Sequence, residues 1–227
     1  MAKRPVFVVN ERQPYFSERW IDFKYFTGFA ESQRRKSVNS LQSEYISLFP
    51  NAKMLEVSRF SEEALGQRLS AFNLLGDAGN GQQRPVENIF QSSKVFENGG
   101  PFRDLLNVSP GAAKKDPRLQ SSGQLVGFNY QGIEYPLEPK TFFYDWIYIN
   151  ALRNDENLKA ELLKFNAFTD IVFNPEKSIN CQARTIAIFV SLCKTGMLCE
   201  CLKSRESFVE LVYGIKREPV QLSLFCM

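Results

Sequence analysis

Two segments of this chain are apolar around most of their circumference, and a helix of that kind leaves little of itself for water. "EPKTFFYDWIYINAL", residues 138–152, is the first, predicted to start at Pro139. "SINCQARTIAIFVSLCKTG", residues 178–196, is the second, with Ser178 as its N-cap, Lys194 in its last turn and Gly196 as its C-cap. Both should be largely buried. A chain of 227 residues, 44% of them hydrophobic, is long enough to build that core within one domain.

The remaining pattern is mixed. "RPVFVV" and "AKMLEV" read as strands, and "QLVGFNYQGIEY", with alternating apolar positions around Gly132, reads as a hairpin. A shorter helix is expected from Asn154 to Phe165. Helices outnumber strands without strand–helix–strand alternation, which predicts an α+β, mainly helical single domain with a few short strands. "GDAGNGQQR", residues 76–84, reads as a glycine-rich connector or lid; it lacks the Gly-Lys-Ser/Thr that would make it a phosphate-binding P-loop.

Histidine is absent from the whole sequence, which removes histidine-based nucleophile triads and histidine metal sites together. The five cysteines are an odd number in a chain of this size and read as reduced thiols, and no metal site is expected. Chemistry must come from carboxylates, amines, amides and hydroxyls. No apolar run reaches the roughly 18 residues of a membrane span, and "PVFVV" is too short for a signal segment, so a cytoplasmic protein without membrane contact is expected.

A net charge of +3 does not by itself announce nucleic-acid binding. One cluster stands out: "SQRRKS" places Arg34, Arg35 and Lys36 in the first turns of a helix whose apolar positions are Val38, Leu41, Tyr45 and Leu48. It reads either as a solvated charge run or as a contact for phosphate at a helix N-terminus.

"RPVENIFQSSKVFENGGP", residues 84–101, carries its charge in an unusual place. Pro85 and Gly99-Gly100 bracket a predicted helix of about 14 residues on which Glu87, Gln91 and Lys94 fall within about 60°. That polar stripe borders the apolar face, so it is either a solvated edge or the lining of a pocket. A capping-box role for Glu87 would need Ser or Thr at the N-cap, and Arg84 precedes Pro85.

These motifs together resemble the NADAR (YbiA-like) family, named for its link to NAD and ADP-ribose metabolism. "LSAFNLLGDAGNGQQRPVENIFQSSKVF" is similar to its L-S-N-F element followed by E-x-x-F-Q-x-x-K, the latter intact as Glu87, Phe90, Gln91 and Lys94. "SPGAAKK" is similar to its S-P-x-x-A-K turn. "EPKTFFYDWIYINAL" and "FTDIVFNPEKSINCQARTIAIFVSL" look like the version found in antitoxins paired with DarT toxins. Ala71 stands where the wider family has Asn, with Asn73 as the substitute amide, and "DIVFNP" replaces its Trp-Gly. The resemblance covers residues 5–196 best, leaving 197–227 as a C-terminal extension packed on one domain of residues 1–227.

The resemblance implies an ADP-ribosyl glycohydrolase that removes ADP-ribose from guanine in DNA or RNA, with ADP-ribose as product, no cofactor, and a DarT-type toxin as functional partner. It implies Glu87 and Lys94 as catalytic residues. Gln91, Ser70, Asn73, Trp146, Asp145, Asp170 and Asn174 become ligand contacts, and Arg34, Arg35 and Lys36 phosphate contacts. Breaking a C1″–N bond passes through an oxocarbenium-like state that a fixed carboxylate stabilises, and Glu87, in a first helical turn, suits a base or stabiliser better than a proton donor. For Lys94 three roles stay open: a cation for diphosphate or ribose oxygens, an amine that forms a Schiff base with the opened sugar, or half of an ion pair. Two other classes of function also stay open: a non-catalytic ADP-ribose-binding or toxin-neutralising protein, and an N-glycosidase of a small phosphoribosyl metabolite.

Overall fold

The computed structural model describes residues 1–28 and 30–215. Residues 216–227, the far part of the expected C-terminal extension, lie outside the described residues. In chain order the elements are β1 (Ala2–Val9), β2 (Phe16–Phe23), α1 (Glu31–Leu48), β3 (Met54–Glu56), α2 (Ala64–Arg68), β4 (Leu75–Asp77), β5 (Gln83–Pro85) and α3 (Val86–Ser92). There follow β6 (Lys94–Phe96), a 3-10 turn (Arg103–Asn107), α4 (Pro110–Lys114), α5 (Arg118–Ser121), β7 (Leu125–Tyr130) and β8 (Ile133–Tyr135). The chain continues through α6 (Phe142–Leu152), α7 (Glu156–Leu162), β9 (Ala167–Thr169), α8 (Gln182–Lys194), α9 (Leu198–Cys201) and α10 (Arg205–Tyr213).

The architecture is α+β. A four-stranded sheet runs in the order β2-β1-β9-β3. Alternation along its strands sends Val6, Met54 and Ala167 to one face and Phe7, Leu55 and Phe168 to the other. The first set packs under α1, against Val38, Leu41 and Tyr45; the second joins α6 and α8 in the larger core. Because β1 is antiparallel to both β2 and β9, and β9 is parallel to β3, strands β2, β3 and β9 all finish at the same edge of the sheet. Asp170 follows β9 directly, and the N-terminal half of α1 lies at this edge too: Ser37 and Ser40 accept the backbone N–H of Phe26 and Lys24, just beyond β2.

Both circumferentially apolar helices are buried as expected, with Phe143, Tyr148, Ile149, Ile186, Ile188 and Phe189 at 1% exposure or less. Their starts differ from the sequence reading. α6 begins at Phe142, three residues after Pro139, and α8 begins at Gln182 rather than after Ser178, with Cys181 at its N-cap. Gly196 does adopt the left-handed conformation, φ 70°, that closes a helix. Residues 76–84 are not a free connector. Leu75–Asp77 pairs with Gln83–Pro85 as a short hairpin, turned by Gly79, Asn80 and Gly81, all at positive φ. The hairpin at Gln131-Gly132 forms as read, both turn residues at positive φ.

α10 is tied back to the core through a buried charge. Asp145 on α6 is fully buried; its Oδ2 accepts from Arg184 Nη1 and from Tyr213 Oη, both at 2.6 Å, and its Oδ1 accepts from Thr185 Oγ1. This network joins α6, α8 and α10. No described helix is long and apolar enough to cross a membrane.

Candidate active site

The site is built around α3, and its cap comes from the segment that precedes it. The first amides of a helix have no partner within it. Here Leu74 and Ala71 supply carbonyls to Val86 and Glu87, each at 2.9 Å. Ala71 is itself fixed because its N–H donates to Gln182 Oε1 at 2.8 Å, while Gln182 Nε2 donates to the Val57 carbonyl beyond β3. The "LSAF" stretch thus seats the N-terminus of α3 beside the sheet edge at which Asp170 emerges. Gln182, invisible to motif reading, is the clamp.

Every residue of α3 is buried, so the polar stripe is no solvated edge. Glu87 and Gln91 are each 5% exposed, and Gln91 Nε2 donates to Glu87 Oε1 at 2.8 Å. On the neighbouring face Phe90 stacks into a ring cluster, 5.4 Å from Phe128 and 5.3 Å from Tyr144 between centroids. Asn88 donates to the carbonyls of Leu105 and Val108, which holds the 3-10 turn and the start of α4 against α3.

Lys94 is not on this helix. The sequence places it on the same helix about 10.5 Å along the axis from Glu87 at 1.5 Å per residue, but α3 stops at Ser92. Ser92 and Ser93 both turn their hydroxyls back to the Ile89 carbonyl, at 3.1 and 2.8 Å, a bond that competes with helix continuation. The Ser93 carbonyl then accepts from Asn129, and Lys94 opens β6, opposite Phe128 of β7. Its ammonium lies 4.9 Å from the Phe90 ring centroid. Burial lowers its pKa, more than the Glu87 charge raises it, and the like charge of Lys114 lowers it further.

Lys114, at the end of the "SPGAAK" helix α4, is the residue whose role the sequence reading missed. Its Nζ lies 3.7 Å from Glu87 Oε1, and its side chain is 56% exposed. Ser109 caps α4 with its hydroxyl, 3.3 Å from the Ala112 amide, which is what the S-P-x-x-A-K pattern encodes locally. Tyr144 faces the same site: burial raises its pKa well above the usual phenol value, with Tyr148, Glu87 and Asp170 adding to the effect.

Asp170 supplies a second carboxyl. Its Oδ1 accepts from the amides of Val172 and Phe173 at 3.0 and 3.2 Å. Burial pushes its pKa up to about 8, helped by Glu56 and opposed by those two hydrogen bonds and by Lys114. Glu56, 2% exposed at the end of β3, accepts from Ser58, Thr169 and the Ile171 amide, and burial raises its pKa as well. Glu87 and Asp170 therefore sit in opposite environments, one between a cation and an amide donor, the other desolvated beside a second acid.

Other expected contacts fall elsewhere. Asn73 is exposed; its amide donates to the Gln67 carbonyl, and it lines a cleft of about 500 Å³ with Arg68 and Asn150, so it does not replace the amide missing at Ala71. Trp146 is two residues from Tyr144, 200° around α6, and its ring packs 5.4 Å from Phe208 of α10. The Asp145 carboxylate is taken up by Arg184, Thr185 and Tyr213, so it serves the network between helices rather than an open site. Asn174 accepts from the Glu176 amide in its own turn. Ser70 stays close, buried in the capping loop, its Oγ 3.4 Å from the Phe72 amide. At the α1 end of the sheet edge, Arg35 pairs with Glu31 at 2.7 Å, Arg34 stacks 5.5 Å from the Tyr25 ring, and Lys36 is exposed. A second cleft, about 570 Å³ between Arg19, Phe49, Asn166 and Lys194, lies at the opposite sheet edge, and neither cleft is lined by Glu87 or Lys94.

Among the described residues no group of three or more His, Cys, Asp or Glu could hold a metal ion. Cys181, at the N-cap of α8, is buried, and desolvation keeps its thiol pKa well above the usual value. Compared with known proteins, residues 2–221 match the family model NADAR-DarT1, described as the DarT1-associated NADAR antitoxin. No curated protein matches the chain.

Proposed function

The chain belongs to the DarT1-associated NADAR antitoxin family, and from that premise we propose that it acts by hydrolysis, in the cytoplasm, removing ADP-ribose from guanine bases of nucleic acid modified by its toxin. The observation that supports this reading is the meeting, around one short buried helix, of a carboxylate, an amide and two amines with a second carboxyl of raised pKa.

Each group has a part that its surroundings suit. Lys114 at 3.7 Å and the Gln91 amide at 2.8 Å hold the Glu87 carboxylate in place, where it can stabilise positive charge developing at C1″. Asp170, protonated below about pH 8, can hand a proton to the departing guanine nitrogen. Lys94 has its pKa lowered mainly by burial, and a neutral amine is what nucleophilic attack requires. That observation favours the covalent route over a purely ionic role. The C1″–O4″ bond opens as a proton moves from the guanine nitrogen to O4″, leaving an imine at C1″. The Lys94 amine adds there, the guanine amine leaves with a proton, and water cleaves the lysine imine to release ADP-ribose. Lys114 beside Glu87, and Arg34, Arg35 and Lys36 in the first turns of α1, are the cations offered to the diphosphate and the nucleic-acid backbone.

The test is incubation of the protein with a guanine-ADP-ribosylated oligonucleotide, read by mass spectrometry for restored oligonucleotide and free ADP-ribose. Glu87→Gln should lower the rate by roughly 10²–10⁴-fold while ADP-ribose still binds. Binding of ADP-ribose by the wild type without any release would identify a binding module instead, and cleavage of a free phosphoribosyl metabolite alone would identify a small-molecule glycosidase.

A further inference from the structure

Gln91 carries a polar atom that nothing among the described residues satisfies. The residue is 5% exposed and its Nε2 donates to Glu87 Oε1 at 2.8 Å, yet its Oε1 is buried without a hydrogen-bond partner among the described residues. The orientation of the amide is dictated by chemistry. A carboxylate only accepts, so the NH₂ end must face Glu87 and the carbonyl end must face away. What remains is a fixed acceptor beside Glu87, and a buried acceptor left alone is costly enough that a functional partner is expected.

We propose that Gln91 Oε1 accepts a hydrogen bond from the 2″-hydroxyl of the ribose being released, and that this contact makes the site selective for ribosyl over 2-deoxyribosyl bonds. The inference rests on the hydrolase reading above. Diphosphate oxygens are acceptors and would be repelled by this carbonyl. The guanine N–H at C1″ gives its proton to O4″ in the ring-opening step and the nitrogen must gain protons again to leave, so it is not a standing donor for this carbonyl. The 2″-hydroxyl is a donor on the carbon next to C1″, within reach of a carbonyl one amide width from the Glu87 contact. Its hydrogen bond strengthens as positive charge grows at C1″. The consequence bears on the substrate itself: in DNA the same guanine is also joined to a 2′-deoxyribose, and a site that requires the adjacent hydroxyl spares that bond.

The experiment uses the full chain and two oligonucleotides bearing guanine-linked ADP-ribose, one natural and one 2″-deoxy in the distal ribose. Each rate is divided by that of spontaneous cleavage, because loss of the hydroxyl eases solvolysis. The wild type should favour the natural substrate by roughly tenfold to several hundredfold after this correction. Gln91→Met, which also loses the amide contact to Glu87, should cleave the natural substrate more slowly by at least that factor and show selectivity close to one. Selectivity retained in full by Gln91→Met, or absent from the wild type, overturns the proposal. Thermal unfolding reports whether the variant is folded; if it is not, the wild-type ratio, together with competition between ADP-ribose and 2″-deoxy-ADP-ribose for binding, decides alone, and equal values overturn it. Cleavage of both substrates at equal corrected rates removes this assignment only, whereas cleavage of neither removes the hydrolase reading and this assignment with it.

Discussion

Helical spacing made Glu87 and Gln91 legible as neighbours and misplaced Lys94, and the physical states of the surrounding groups were not legible, because desolvation depends on what packs around them. Lys94 illustrates this: its neighbour Glu87 predicts a raised pKa, and the burial that the sequence does not show lowers it. If the amine attacks C1″, borohydride added during turnover should reduce the imine and leave an ADP-ribose adduct on Lys94 by peptide mass mapping, absent in Lys94→Arg; turnover with no adduct would favour direct attack by water. Asp170 allows a second check. Its pKa is raised from 3.8 to about 8 on folding, so the folded state holds this proton where the unfolded chain has lost it. The contribution to stability is full below pH 4 and falls as pH rises to about 8. Asp170→Asn cannot lose that proton, so in urea titrations its stability relative to wild type should rise between pH 5 and pH 8.5. A difference that stays flat over that range would show that Asp170 titrates normally.

At the scale of elements, the sequence named the segments and misplaced their ends. A 14-residue helix from Pro85 fits local pattern, yet two consecutive serines bond back to Ile89 and β7 captures the chain at Ser93; tertiary pairing overrides propensity there. Strand β9 was missed because three residues give no periodicity, and β2 because its alternation is interrupted by charge. The turn that returns the chain after β6 depends on Gly100, at φ 88°, where an added Cβ would lie 2.4 Å from the Lys94 carbonyl. Gly100→Ala should therefore displace Lys94 and lower the rate of ADP-ribose release by roughly tenfold or more, through misplacement without any change in the reacting groups. Wild-type rates in a folded Gly100→Ala protein would contradict the placement of Lys94 in the site.

For the whole molecule, the fold class and the burial of the two apolar helices followed from composition and pattern, whereas the convergence of β2, β3 and β9 on one edge depends on long-range pairing that no local pattern records. The same is true of Asp145, read as a ribose contact and found holding Arg184, Thr185 and Tyr213 between three helices. Removing one partner of such a buried pair costs about 3–5 kcal/mol, so Asp145→Ala should lose that much stability by denaturant unfolding. Loss of ADP-ribose affinity with unchanged stability would return Asp145 to the ligand. The central claim, that the Glu87 site releases ADP-ribose from guanine, is tested most directly by mass spectrometry of a guanine-ADP-ribosylated oligonucleotide after incubation with wild type and with Glu87→Gln. The account predicts complete restoration of the oligonucleotide by the wild type and a loss of roughly 10²–10⁴-fold in the variant; equal restoration by both, or none by the wild type, would contradict it.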